Sequence, residues 1–255
     1  MPLRQRITTL VVAFAISAPT IAGVEKESRI NRSGLFFAWL APDRGHVLVG
    51  FDSPNQLREL AQHCNSGNEV FSLERGTKYK CKFEVFKLPS GEVYWESAGA
   101  TVVGPAPKSD TGQFGLFSTR PPTTTRWIAR PIAPQELETL LKSDARWFAK
   151  IKRQLKPHKA SVVSRPGGLY STVIVPGRIV EDREAFYYAQ RHHVFVKQDN
   201  VYTYLGEIPG KPTKFVDIDG KDLPGLVVEE GCDGWCISLW SLAGKLRKIG
   251  TFGGH

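Results

Sequence analysis

The chain has 255 residues, a formal net charge of +9, and hydrophobic and charged fractions of 41% and 23%. This composition supports a globular core and excludes a collagen-like chain, an intrinsically disordered one and a polytopic membrane protein. The positive charge favours an anionic partner without naming one.

Met1-Pro2-Leu3-Arg4-Gln5-Arg6 is a short basic head, Ile7 to Ala18 is an apolar run, and Pro19-Thr20-Ile21-Ala22 brings small residues ahead of Gly23. Those three parts in that order predict a secretory signal peptide over residues 1–22, cut near Ala22, and hence a periplasmic or secreted protein. The apolar run falls short of the roughly 20 residues that span a bilayer, and no later stretch approaches that length. No transmembrane segment is therefore expected in the mature chain, which keeps roughly 230 residues, room for one large domain or two modest ones.

Residues 23–115 read as an N-terminal β-rich domain. Leu35 to Leu40 and Val47 to Phe51 flank the turn Pro42-Asp43-Arg44-Gly45, the pattern of strand, turn and strand. Ser53-Pro54 opens a short helix, Asn55 to Cys64, with Leu57, Leu60 and Ala61 on one face. Tyr79, Cys81, Phe83 and Val85 alternate with Lys78, Lys80, Lys82 and Glu84, which predicts a half-buried strand. It returns through Pro89-Ser90-Gly91-Glu92 into Val93-Tyr94-Trp95.

Residues 104–134 are rich in Pro, Thr, Gly and Ser and read as a linker with a short strand at Phe114 to Phe117. Pro134 starts an amphipathic helix reaching Leu155, with Leu137, Leu141, Phe148, Ile151 and Leu155 at helical spacing. Its other faces carry Lys142, Arg146, Lys150, Lys152 and Arg153, a solvated face or a surface for an anionic polymer. Linker and helix together occupy 116–158.

Residues 159–255 read as an antiparallel β domain, so the fold class is α+β, mainly β. The candidate strands are Ser171–Val175, Phe186–Gln190, His193–Lys197, Tyr202–Glu207, Phe215–Asp217, Gly225–Glu229, Cys236–Leu242 and Leu246–Phe252. Neither a phosphate-cradling P-loop nor a dinucleotide fingerprint is present.

Four cysteines in an exported chain predict disulfides, and the local pairing Cys64–Cys81 with Cys232–Cys236 is favoured over a metal or redox role. The second pair closes a turn, Cys232-Asp233-Gly234-Trp235-Cys236, that follows Glu229-Glu230-Gly231. A pinned acidic loop beside an indole makes a good recognition surface, so Glu229, Glu230, Asp233 and Trp235 are the candidate binding residues. Adjacent residues on a strand face opposite ways, so Glu229 and Glu230 do not act as one acid–base pair, and His192 and His193 do not share one metal.

The segment Phe215-Val216-Asp217-Ile218-Asp219-Gly220-Lys221-Asp222-Leu223-Pro224-Gly225-Leu226-Val227-Val228 resembles the loop of integrin-type FG-GAP repeats. In that family a strand ends in D-x-D-G-D-G-x-x-D/E, and carboxylates at positions one, three, five and nine hold calcium. Asp217 and Asp219 match positions one and three, and Gly220 matches the bend; positions five and nine are Lys221 and Gly225. The resemblance thus implies at most a reduced calcium site at Asp217 and Asp219. The residues themselves favour a metal-free turn with the Lys221 ammonium between the two carboxylates, and no other cofactor is expected. The ending Ile249-Gly250-Thr251-Phe252-Gly253-Gly254-His255, with the acidic turn, is similar to an uncharacterised bacterial exported (periplasmic) family. There is also a fold-level similarity to periplasmic immunity-type proteins that block a cell-wall hydrolase.

The leading expectation is an exported binding or interaction protein, inhibitor-like or immunity-like, whose partner is a protein or an envelope component. The rivals are a glycan-directed hydrolase using the acidic loops and adhesion to the anionic envelope through the basic helix. The chain lacks helix-turn-helix and finger patterns, which argues against nucleic acid as the partner.

Overall fold

Leu35 to Ala41, the first strand, is apolar throughout where a strand with one wet face would alternate. Both its faces are buried, and that determines much of the architecture. Phe36 and Ala38 point one way, into a cluster with Leu48, Val70, Tyr79, Cys81 and Phe117. Leu35 and Phe37 point the other way, into a cluster with Val216, Val227, Ile237, Leu239 and Ile249 from the far end of the chain.

The computed structural model describes residues 34–41, 45–49, 54–87, 96–103, 114–123, 126–143, 156–182, 187–218, 220, 222–230 and 235–254. In chain order the elements are β1 (Leu35–Ala41), β2 (Gly45–Val49), α1 (Pro54–Asn65), β3 (Glu69–Ser72), β4 (Lys78–Lys87), β5 (Glu96–Val103), β6 (Phe114–Ser118), β7 (Ile128–Pro131) and α2 (Pro134–Lys142). After a single 3-10 turn, Pro157–Lys159, come β8 (Ser161–Ser164), β9 (Tyr170–Asp182), β10 (Tyr187–Gln198), β11 (Val201–Ile208), β12 (Pro212–Val216), β13 (Gly225–Glu230), β14 (Trp235–Ser241) and β15 (Arg247–Gly254). The fold is mainly β, in three antiparallel sheets.

Strands β1 to β6 close into a barrel in the order β1-β2-β5-β4-β3-β6. Helix α1 packs against its interior cluster. Gln56, Leu60 and Cys64 recur every four residues and are buried, while Arg58 and Gln62 are exposed. Cys64 is disulfide-bonded to Cys81 of β4, which ties the helix to the barrel wall.

The outer face of β1 and β6 lies on a four-stranded sheet, β12-β13-β14-β15. Lys214 of β12 reinforces this contact by pairing at 2.7 Å with Glu74, which follows β3. The other face of that sheet packs on a five-stranded sheet, β11-β10-β9-β8-β7, through Leu226, Val228, Leu242, Val194 and Ile208. The four-stranded sheet is thus the middle layer, buried on both faces. This is why Leu226-Val227-Val228 shows no alternation. Helix α2 covers the far side of the five-stranded sheet, where Leu140 meets Val162, Val173, Val175 and Phe195.

Several sequence expectations change in detail. The short strand expected at Phe114 to Phe117 is β6, which completes the barrel, and the expected linker 104–134 also holds β7, an edge strand that the Pro-rich composition concealed. The loop between Cys64 and Cys81 contains β3, too short to show a period. The expected return strand Val93–Trp95 lies outside the described residues, and β5, which begins at Glu96, pairs with β4. The two strands expected at Phe186–Gln190 and His193–Lys197 form a single strand, β10, with an irregularity between Gln190 and His192. Of the long amphipathic helix, Pro134–Lys142 is helical, and residues 144–155 lie outside the described set, as do residues 1–22. Among the described residues no helix is long and apolar enough to cross a membrane.

Candidate functional site

Strand β12 ends by burying Val216 in the core between barrel and middle sheet, and the next residue, Asp217, is buried as well. Its side chain is 3% exposed. One carboxylate oxygen accepts hydrogen bonds from the backbone N–H of Thr123, at 2.7 Å, and from the Thr123 hydroxyl. The other accepts from the Gly220 N–H at 2.7 Å. Gly220 has φ +72°, a conformation that suits glycine, and it turns that N–H back toward the aspartate. Asp217 therefore clamps the acidic loop to the segment leading from the barrel to the five-stranded sheet.

Asp222, five residues on, turns elsewhere. It pairs with the Arg165 guanidinium and accepts from the Leu169 N–H at 3.2 Å, holding the turn between β8 and β9. Both oxygens of Asp217 accept from protein donors, Asp222 pairs with Arg165, and a Cβ at Gly225 would stand 3.0 Å from Ile218, a tight approach. Among the described residues no three His, Cys, Asp or Glu side chains are placed to hold a metal. Asp219 and Lys221, and with them the proposed internal ion pair, lie outside the described residues.

At the end of β13, Glu229 is exposed, whereas Glu230 turns inward. Glu230 accepts from the Ser238 hydroxyl and, at 2.8 Å, from the Lys248 ammonium. Ser238 in turn accepts from the Trp240 indole N–H at 2.7 Å, and Lys248 lies 5.3 Å above the Trp240 ring. This chain ties β13, β14 and β15 together. Ser238 is fully buried, which removes it as a nucleophile. Residues 231–234, including Cys232 and Asp233, lie outside the described set, as does the Trp235 side chain. Cys236 is buried and disulfide-bonded.

Two polar clusters escaped the sequence reading. Glu136, at the start of α2, receives a forked pair from Arg130 at 2.6 and 2.9 Å, the Lys197 ammonium at 2.8 Å and the Ala133 N–H at 3.2 Å. The Arg130 hydrogen bonds, aided by Lys197 against the cost of burial, hold its carboxyl down to about 2. The second cluster lies on β10 and β11. Nδ1 of His193 sits 3.1 Å from the Tyr204 hydroxyl and 3.6 Å from Glu207. Burial, with a smaller push from Glu207, raises the Tyr204 phenol to about 12. Single-sequence patterning carries no trace of the long-range partners, because Thr123 and Asp217 stand 94 positions apart and Glu136 and Lys197 stand 61 apart. On the polar side of α2, Lys142 already pairs with Glu138 at 2.5 Å.

No protein-family model matches this chain, and no curated protein or solved structure matches it.

Proposed function

We propose that this is an exported interaction protein, periplasmic or secreted, that presents a stiff acidic loop pair to a protein or envelope partner. The observation that supports this reading is where the loop carboxylates are spent. Asp217, Asp222 and Glu230 each answer protein donors, so they shape the loops, while Glu229 stands exposed at the rim of the same sheet end. Loops fastened in this way lose little conformational entropy on binding. Glu229 and Asp233, with the Trp235 indole, are the residues assigned to contact the partner, and the complementary chemistry is a cationic patch with an apolar centre. The acidic loop between β12 and β13 is read as a metal-free turn.

The test is a pull-down from periplasmic extract, with calcium or with chelator, using the wild type and the Glu229→Ala, Asp233→Ala double variant. Retention by the wild type, loss in the variant and an unchanged melting temperature are expected. Equal retention of the same proteins by both would overturn the assignment. Release of glycan fragments by the wild type but not by the variant would instead establish a hydrolase.

A further inference from the structure

Strand β10 carries two neighbouring histidines, and the fold buries both, one in each of its two sheet–layer interfaces. Val194 belongs to the cluster between the five-stranded sheet and the middle sheet, and Phe195 to the cluster under α2. By strand alternation His192 shares the face of Val194, and His193 that of Phe195. Their exposures are 4% and 1%. A neutral imidazole is tolerated in such a place when one nitrogen is satisfied, but an imidazolium needs a counter-charge.

The surroundings supply little of one. On the middle-sheet side His192 donates from Nδ1 to the Gln190 carbonyl at 2.9 Å, and the charges acting on it are those of Lys211, after β11, and of His193, both unfavourable to a second positive charge. On the α2 side His193 faces Tyr204 and its direct cross-strand partner Glu207, both on β11. Among the described residues Glu207 is the carboxylate that helps His193, from 3.6 Å and half in solvent, and Glu136 of α2 is already held by Arg130 and Lys197. On β9 the ring abuts Gly177, where a Cβ would lie 2.9 Å from Nε2, so the imidazole fills space that only a glycine there leaves open. Burial pulls both histidines below their ordinary value, more than the Gln190 hydrogen bond or Glu207 restores.

We propose that β10 is an acid-sensing strand: protonation of His192 and His193 loosens the five-stranded sheet from the layers on both its faces while the barrel stays closed. The inference stands apart from the assignment of the loops, since it concerns the layers behind them. The sign follows from linkage. The opened state binds the proton more readily than the closed one, so closure is fully supported above about pH 6.5 and weakens as pH falls below it. Each histidine contributes up to about tenfold in the opening constant per pH unit in that window, and the two together up to about a hundredfold.

Hydrogen exchange of the full mature chain, corrected for intrinsic rates, at about pH 7.5 and about pH 5 tests this. The expected result is that opening of β9 to β11 rises at least about tenfold on acidification and that of β1 to β6 does not. His192→Asn with His193→Asn, which keeps a group near each Nδ1 but cannot protonate, is expected to flatten the response. Should that variant fail to fold, the histidine ring resonances of the wild type decide the matter by themselves. Titration of His192 and His193 below the ordinary range supports the proposal. Titration at or above about pH 6.5, or an equal response in barrel and sheet, overturns it.

Discussion

The Asp217 clamp makes the sharpest quantitative claim. Replacing Asp217 with Asn keeps the shape and removes the charge. The amide oxygen still accepts from the N–H and hydroxyl of Thr123, now as neutral hydrogen bonds, while its NH2 meets the Gly220 N–H donor to donor. Hydrogen bonds to a charged group are worth about 1.5–3 kcal/mol, neutral ones about 1, and a buried N–H left without an acceptor costs about 1–3. The sum is a loss of about 2 kcal/mol, because Asp217 is 3% exposed whereas Thr123 and Gly220 are exposed and water recovers part of what their N–H groups lose. For a chain of this size each kcal/mol moves the melting temperature by about 2–4 °C, so a drop of about 4–8 °C is expected by circular dichroism. Thr123→Ala, which removes only the hydroxyl, is expected to cost about 1–2 kcal/mol. Neither calcium nor chelator is expected to move the wild-type transition. A variant melting within about 1 °C of wild type would refute the clamp. A calcium-dependent rise that vanishes in the variant would refute the metal-free turn.

Three further substitutions probe the layers. Gly177→Ala would place its Cβ 2.9 Å from His193 Nε2 and 3.0 Å from the Arg191 carbonyl; a loss of about 1–3 kcal/mol in urea unfolding is expected, smaller in a His193→Asn background. The Glu136 carboxyl, held at about 2 in the fold, supports stability above its ordinary value near 4.5 and loses that support as pH falls from about 4.5 to about 2. Glu136→Gln is therefore expected to lower the melting temperature at neutral pH and to flatten its pH dependence across that window. Removing the Cys64–Cys81 bond by a double Cys→Ala change frees a loop of sequence separation 17 and is expected to cost about 3 kcal/mol, measured by unfolding under non-reducing conditions.

The readings that survived from the sequence are those that local spacing controls. The period-2 alternation in Tyr79 to Val85 located β4, and the apolar spacing of Leu57, Leu60 and Ala61 located α1, because side-chain direction repeats along an element whatever it packs on. The Cys64–Cys81 pairing followed from proximity along the chain. β7 was concealed because Ile-Ala-Arg-Pro is short, exposed and ends in proline, and owes its strand conformation to pairing with β8.

Hydrophobic patterning says that Leu35, Phe36 and Phe37 must all leave water, but not what covers each face. The tertiary structure assigns one face of β1 to the barrel interior and the other to a sheet formed more than 170 positions later. The acidic loops show the same division. Their composition marked them as a site, yet burial and hydrogen-bond partners determine which carboxylates are available. Those partners, Thr123, Arg165, Ser238 and Lys248, come from other elements. A carboxylate's chemistry depends on its donors and its access to water, and both are set by what folds against it.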